Sequence, residues 1–312
     1  MWPISVYTAS VTPTPASTPD SPWWHDPRAL PLAAGGSVLV LTGLVHVAVW
    51  AAWGGPWEGP LSWRKPILFG ISGGLTSLSL GWAWAKLARR WGDAWLAWAT
   101  SLALVVEVVL IDLQCWRGVA SHFNRGTPLD SALYDLMGGL ILGVTLVSLD
   151  LTVRWCVGRV GCDAAMLLAG RAGLALLFVS CLLGIWASVH GDRRVALGLP
   201  PETLGAAGVV KFPHGAAIHA LQWLPLVAWA AKRAGLDDRR RLACVAAATL
   251  GTLLVLGYAL GQTLAGRGRF EAMPAAAAVL AAGGACLAVP VGVILWAAVR
   301  RRPPGSAAAR PA

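Results

Sequence analysis

The chain has 312 residues, of which 56% are hydrophobic and only 13% charged, with 18 Trp, 36 Gly, a net charge of +10 and a mean hydropathy of +0.62. Soluble domains carry roughly a quarter charged residues, so this composition excludes an ordinary water-soluble enzyme and reads as an all-α, polytopic transmembrane helix bundle. The positive charge is no argument for nucleic acid, because sidedness of the loops and attraction to anionic headgroups account for it.

Apolar residues fall in blocks of about 20, the length that crosses ~30 Å of hydrocarbon. The pattern predicts about eight spans: Gly36 to Trp53, Pro66 to Leu87, Ala94 to Trp116, Leu133 to Trp155, Met166 to His190, His214 to Ala231, Leu242 to Ala265, and Ala275 to Val299. Residues 1–35 read as a disordered Pro/Ser/Thr-rich tail, 36–299 as the membrane domain and 300–312 as a basic tail. Arg28, Lys86, Arg89, Arg90, Arg154, Arg159, the Lys232–Arg241 stretch and Arg300–Arg302 share one face, which predicts that both termini are cytoplasmic. No secretory leader pattern precedes the first span, so that span is expected to direct insertion.

In chain order, the first span carries His46 in its outer half. Trp53, Trp57 and Trp63 then fit an interfacial belt, and Arg64 and Lys65 either snorkel to lipid phosphates or act as an anion clamp with Arg117 and Lys211. The second span is rich in Gly70, Gly73, Gly74, Ser72, Ser77 and Ser79, a close-packing pattern repeated by Gly138, Gly139 and Gly143 in the fourth. The third span holds Glu107 among Val105, Val106, Val108 and Val109, followed by Asp112 and Gln114. An ionisable residue at such depth is costly and is a functional candidate by default. Glu107 and Gln114 share a face, Asp112 is turned from it, and Glu107 is the candidate general acid or proton carrier.

Arg117 to Asn124 reads as a helix end and turn, dense in hydrogen-bonding groups: Ser121, His122, Asn124 and Arg125, with Asp130 or Ser131 capping the fourth helix. A Ser-His neighbour pair without a Gly-x-Ser-x-Gly elbow is a weak hydrolase signal. His190 closes the fifth span, His214, His219 and Gln222 open the sixth, and Gln262 closes the seventh. The six cysteines are scattered with no Cys-x-x-Cys, which favours packing roles over a disulfide framework or thiolate site.

Five histidines thus lie near the outer leaflet, at the level where the polar breaks Trp57–Pro66, Arg117–Asp135 and His190–Gln222 converge. Imidazole suits heme iron, copper or zinc, and bundle sites use side chains from facing helices. His46 and His219 form the candidate metal or axial pair. His214 lies five residues before His219, about 500° around a helix, and is expected at the mouth.

The expected catalytic set is Glu107, Asp112 and His122. The expected binding set is Arg64, Lys65, Arg117, Asn124 and Gln222. The first function class is a redox enzyme with heme or a transition metal. The second is a transporter or ligand or pH sensor using the same pocket, and the third is a metal-free lipid-modifying enzyme acting on a headgroup phosphate. The absence of an internal repeat favours a one-sided site over alternating access.

Gln114-Cys-Trp-Arg-Gly-Val-Ala-Ser-His-Phe-Asn-Arg-Gly-Thr-Pro-Leu-Asp130 and His219-Ala-Leu-Gln-Trp-Leu-Pro225 resemble segments of a group of bacterial multi-pass membrane proteins. That group carries Arg-Gly-x-x-Ser-His-Phe-Asn and a later His-x-Leu-Gln. The likeness runs from the first span to about the sixth and implies a membrane bundle, with no activity or ligand attached. Lys211-Phe-Pro-His214 and Gly215 to His219 depart from the group's Ala-His-Phe-x-Gly-x-His by a proline and by spacing.

Overall fold

In the computed structural model, which describes residues 22–300 except 272, a short 3-10 turn at Trp23–His25 leads into a bundle of helices. These are α1 (Leu30–Trp53), α2 (Arg64–Ala85), α3 (Asp93–Trp116), α4 (Pro128–Val157), α5 (Ala164–Ala196), α6 (Lys211–Ala217), α7 (Ala220–Arg233), α8 (Asp238–Leu264) and α9 (Pro274–Arg300). A two-stranded hairpin, β1 (Thr203–Leu204) and β2 (Gly208–Val209), interrupts the α5–α6 connection. Among the described residues, seven helices (α1 to α5, α8 and α9) are long and apolar enough to cross a membrane. The protein is therefore a multi-pass helical bundle suited to a bilayer.

Several boundaries differ from expectation, α4 starting at Pro128 rather than Leu133 and α5 running to Ala196 rather than His190. The first helix starts at Leu30 rather than Gly36, because Pro31 takes a first-turn position where its missing N–H costs nothing. Its entry is tied down by Ser77 Oγ and Ser101 Oγ, which donate to the carbonyls of Leu32 (2.8 Å) and Pro31 (2.7 Å). The remainder of the expected N-terminal tail, residues 1–21, and residues 301–312 of the expected basic tail lie outside the described residues.

The expected continuous sixth span is instead two helices. α6 ends at Ala217 and α7 begins at Ala220, and at the break the amide of Gln222 returns to the carbonyl of His219 (3.1 Å) in a tighter turn. Pro225 inside α7 lacks the N–H that would continue the ladder to Leu221.

Packing follows the small residues unevenly. α1 and α2 lie back to back through Gly36 against Gly74 and Gly43 against Gly70, where an added Cβ would come within 2.8 Å of the opposite backbone. The expected equivalent in α4 is corrected. Gly138, Gly139 and Gly143 are exposed and meet nothing within 4 Å, because that face of α4 turns away from its neighbours. The core instead fills with Trp84, Trp155, Leu80, Leu151, Leu174 and Leu221, all 1% exposed or less. Trp155 donates its indole N–H to Ala83 O (3.1 Å), and Arg171 Nε donates to Trp155 O (2.8 Å), so the one basic residue expected inside the fifth span is satisfied there.

Candidate functional site

Lys65, Phe69, Ser72 and Thr76 recur along α2 at steps of four, three and four residues, which places them on one helix face. The last three each meet a polar group from elsewhere in the bundle. The Phe69 ring lies 5.6 Å from the His122 ring. The Ser72 hydroxyl is 3.3 Å from His219 Nε2, and Gln222 Nε2 donates to Thr76 Oγ1 at 3.3 Å. The two motifs Arg117–Asn124 and His219–Gln222, far apart in sequence, thus meet on this ladder.

Lys65 is half-buried at its outer end. Among the described residues its ammonium makes no hydrogen bond or ion pair, although Glu202, Lys211 and Arg64 are the charges nearest it. Glu202 is engaged with Lys211, and Arg64 reaches only Glu58, at 4.0 Å. The basic residues at this mouth therefore differ in kind: Lys211 is paired and Lys65 is not.

Glu107 lies at the level of the ladder's inner rungs, since the neighbouring Val108 faces Gly73 of α2 at 3.5 Å from a Cβ placed there. It is 6% exposed, and among the described residues no hydrogen bond or ion pair reaches its carboxyl. Cys181 of α5 is its neighbour on the other side. Asp112, five residues further along α3, is turned toward α1 and His46. Its Oδ1 is buried without a hydrogen-bond partner.

His46 has both ring nitrogens engaged. Nδ1–H donates to Thr42 O at 2.9 Å, which leaves the Nε2 lone pair to accept from the Trp116 indole N–H at 3.0 Å. Trp63 and Trp116 flank the ring at 6.1 and 6.2 Å between centroids. His219 engages Ser72 instead, and no hydrogen bond or ring contact joins it to His46. Among the described residues, no group of three or more His, Cys, Asp or Glu side chains is arranged to hold a metal ion.

The α3–α4 loop is held by its own residues. Arg117 donates to Asp130 (2.9 Å) and to Gln114, and Gln114 Nε2 donates to the same Asp130 oxygen (3.0 Å). Thr127 caps α4 by accepting from the Asp130 amide. Asn124 donates to Ala120 O and accepts from the Gly126 amide, so it shapes the turn. Phe123 has φ 57°, a conformation that non-glycine residues adopt at a cost, and its ring fills the space that Gly191 leaves by lacking a Cβ. The result is a fixed position for His122 between Phe69, Phe123 and Tyr134, its Nδ1 3.0 Å from Ser121 Oγ. Burial pushes the His122 imidazole down to about 3, and the nearby Lys65 ammonium acts in the same direction. It is a neutral ring at physiological pH.

Of the remaining histidines, His214 is bound to α5, its Nδ1–H donating to Ser180 O at 2.8 Å while Ser180 Oγ donates to His214 O at 2.9 Å. It was expected at the mouth, but the break after Ala217 turns α6 against α5. His190 Nε2–H donates to Thr203 O (2.9 Å) and anchors the hairpin over the outer end of α5.

The structure therefore brings His122, His219 and Gln222 to one face of α2 that also carries Lys65, while Glu107 lies on the neighbouring α3 with Cys181 of α5 beside it. Asp112 and His46 lie on the α1 side, Arg64 stays at the rim, and Arg117 and Asn124 serve the loop. Sequence reading assigned Ser72 to packing and passed over Phe69 and Thr76. The 4-3-4 spacing from Lys65 was the signal available.

A second polar cluster, also unforeseen, lies at the opposite end of the bundle. Asp93 at the start of α3 is chelated by Arg154 of α4 (2.8 and 3.0 Å) and meets Arg28 (3.3 Å), which also pairs with Asp26 (2.9 Å). Arg28, Asp93 and Arg154 are all under 7% exposed. Burial would raise the Asp26 carboxyl, but hydrogen bonds from Arg28 outweigh it and hold the group below the usual carboxylate range. In the sequence Arg28 and Arg154 count only toward the sidedness of the loops. Their pairing with acids on the same face makes them a clamp as well.

No protein-family profile, curated protein or solved structure matches the chain.

Proposed function

We propose that the protein binds a small anionic molecule from the outer face of the membrane, as a transporter or sensor. Lys65 supplies the counter-charge and Glu107 a proton-bearing contact deeper in the same seam. The observation that carries this reading is the distribution of partners. Among the described residues the buried charges Asp26, Arg28, Asp93, Asp130, Arg154 and Arg241 are all ion-paired. Lys65, Glu107 and Asp112 are not, and all three lie in the outer half of α2 and α3.

Leaving an ionisable group unpaired at membrane depth is expensive. A ligand that supplies the missing charge removes that cost, so affinity and the absence of an internal partner are two sides of one arrangement. The break between α6 and α7 supports the same reading. Interrupted helices expose backbone groups where they line a binding site, and this one sets His219 and Gln222 against Ser72 and Thr76. In this reading α6 and α7 together form the sixth of eight spans, which puts both termini on the Arg-rich, cytoplasmic side.

The redox reading has less support, because His46 has no ring nitrogen left for a metal without giving up Thr42 or Trp116. The lipid-modifying reading loses Arg117 to Asp130. Thermal unfolding of the detergent-purified chain, titrated with inorganic phosphate, glycerol 3-phosphate and succinate, tests the proposal. At least one anion should stabilise the wild type, with about tenfold weaker binding in Lys65→Gln, the equivalent of one lost charge contact of ~1.4 kcal/mol. A flat response to the whole panel, or unchanged affinity in Lys65→Gln, overturns it. A Soret band in the same preparation returns the protein to the cofactor class.

A further inference from the structure

α8 and α9 are joined at one level and parted at another, and glycine marks both. At Gly251, an added Cβ would lie 2.8 Å from Leu287 and 2.9 Å from the Gly283 carbonyl, so the two helices touch there. Two turns further out, Gly257 and Gly261 are again glycines, yet nothing lies within 4 Å of a Cβ at either. They face a cavity of about 400 Å³ whose opposite wall is Ala275, Ala276 and Val279 of α9. Close packing explains the first glycine pair and not the second.

The outer rim of this cavity is basic. Arg267 lines it, and among the described residues its guanidinium has no hydrogen bond, ion pair or ring partner. The loop that carries Arg267 is held in place from below. Tyr258 Oη donates to Arg269 O (2.7 Å), and Gln262 Nε2 donates to Gly268 O (3.3 Å) and Glu271 O (3.0 Å). The neighbouring acid is turned away into the same loop, Glu271 Oε2 accepting from the Gly268 amide at 3.0 Å. The buried Gln262 that closes α8 thus has a definite task, positioning a free cation over an apolar slot.

We infer that this slot is a binding site for one phospholipid of the surrounding bilayer, with an acyl chain lying along Gly257 and Gly261 and the phosphate on Arg267. The chemistry selects this occupant. The wall is mostly apolar, so water gains few hydrogen bonds in it, and both bordering helices are long and apolar enough to cross a membrane, which turns the open side to lipid in a bilayer. A guanidinium at headgroup level pairs with phosphate. The site is separate from the seam on α2 and does not depend on its ligand.

Native mass spectrometry of the detergent-purified full chain, titrated with phosphatidylglycerol and with the diacylglycerol of the same chains, tests it. The wild type should prefer phosphatidylglycerol by about fivefold, the size of one basic contact at the membrane surface. Arg267→Gln should remove the preference while keeping diacylglycerol binding. Gly261→Leu and Ala276→Leu, which fill the slot from either wall and suit a helix, should weaken both lipids. A preference that survives Arg267→Gln, or lipid binding unchanged in both filled variants, overturns the assignment. Displacement of phosphatidylglycerol by millimolar inorganic phosphate also overturns it, because the site would then serve a free anion.

Discussion

The two ends of the bundle treat buried charge in opposite ways. At one end Arg28, Asp26, Asp93 and Arg154 satisfy one another within 3.3 Å, joining the start of α1 to α3 and α4. Toward the other end Arg117 still pairs with Asp130, but Lys65, Glu107 and Asp112 have no hydrogen-bond or ion-pair partner among the described residues, while the aromatic and histidine side chains around them are fixed in place. A closed charge network stabilises and has little left to offer a ligand. An open one costs stability and is ready to bind. The contrast teaches that the number of buried charges says less about function than whether each has found a partner.

The sharpest way to break this comparison is at the paired end. Asp93→Asn leaves Arg28 and Arg154 without their shared carboxylate, and losing one partner of a buried pair costs about 3–5 kcal/mol. Thermal unfolding in detergent should show the largest loss of any substitution named here, with ligand response retained in the fraction that stays folded. The same measurement on Glu107→Gln should show a change of less than ~1 kcal/mol or a gain, since no partner is abandoned. A loss as large as that of Asp93→Asn would mean that Glu107 is a packing residue with a partner, and the comparison would fail.

Smaller effects sharpen it. Trp116→Phe removes the indole donor to His46 and should cost about 1 kcal/mol, leaving Nε2 of the imidazole open. The variant's ability to bind Zn²⁺, measured by calorimetry, should then exceed that of the wild type. Stability against pH gives the finest test. His122 has its folded value lowered to about 3 by burial, well under the ordinary 6.5. Below pH 6.5 the unfolded chain takes up the proton and the folded chain does not, so stability is lost as the pH falls from 6.5 toward 3. His122→Asn should flatten that limb of the unfolding curve. Equal slopes in the two proteins would place His122 in contact with water.

Much of the architecture was legible in the residues. Apolar blocks located the long helices with ends displaced by up to six residues, because a span is specified by the local composition of its own ~20 residues. Polar breaks marked the loops between helices for the same reason. Less of the site was legible. His46 and His219 were paired by depth alone, yet helix rotation gives one to Trp116 and the other to Ser72. Arg117 read as a ligand for anions because its partner Asp130 lies beyond a turn whose geometry depends on Phe123 and Gly191. The Gly138, Gly139 and Gly143 stripe read as a packing face, but which face of a lipid-bathed helix finds a neighbour is not written in that helix.

What the sequence by itself determined is the membrane class, the location of the long apolar segments and which ionisable groups lie within or beside them. Each is a property of a contiguous segment and its transfer from water to hydrocarbon. Only the tertiary structure decided which of those groups are paired, that the expected sixth span breaks at His219, and that Phe69, Ser72 and Thr76 form a ladder for His122 of the α3–α4 loop and for His219 and Gln222 at the start of α7. Pairing depends on the rotation and register of helices distant in sequence, and those are set by where Gly36, Gly43, Gly70 and Gly74 let backbones touch and where Trp155 fills the space between them.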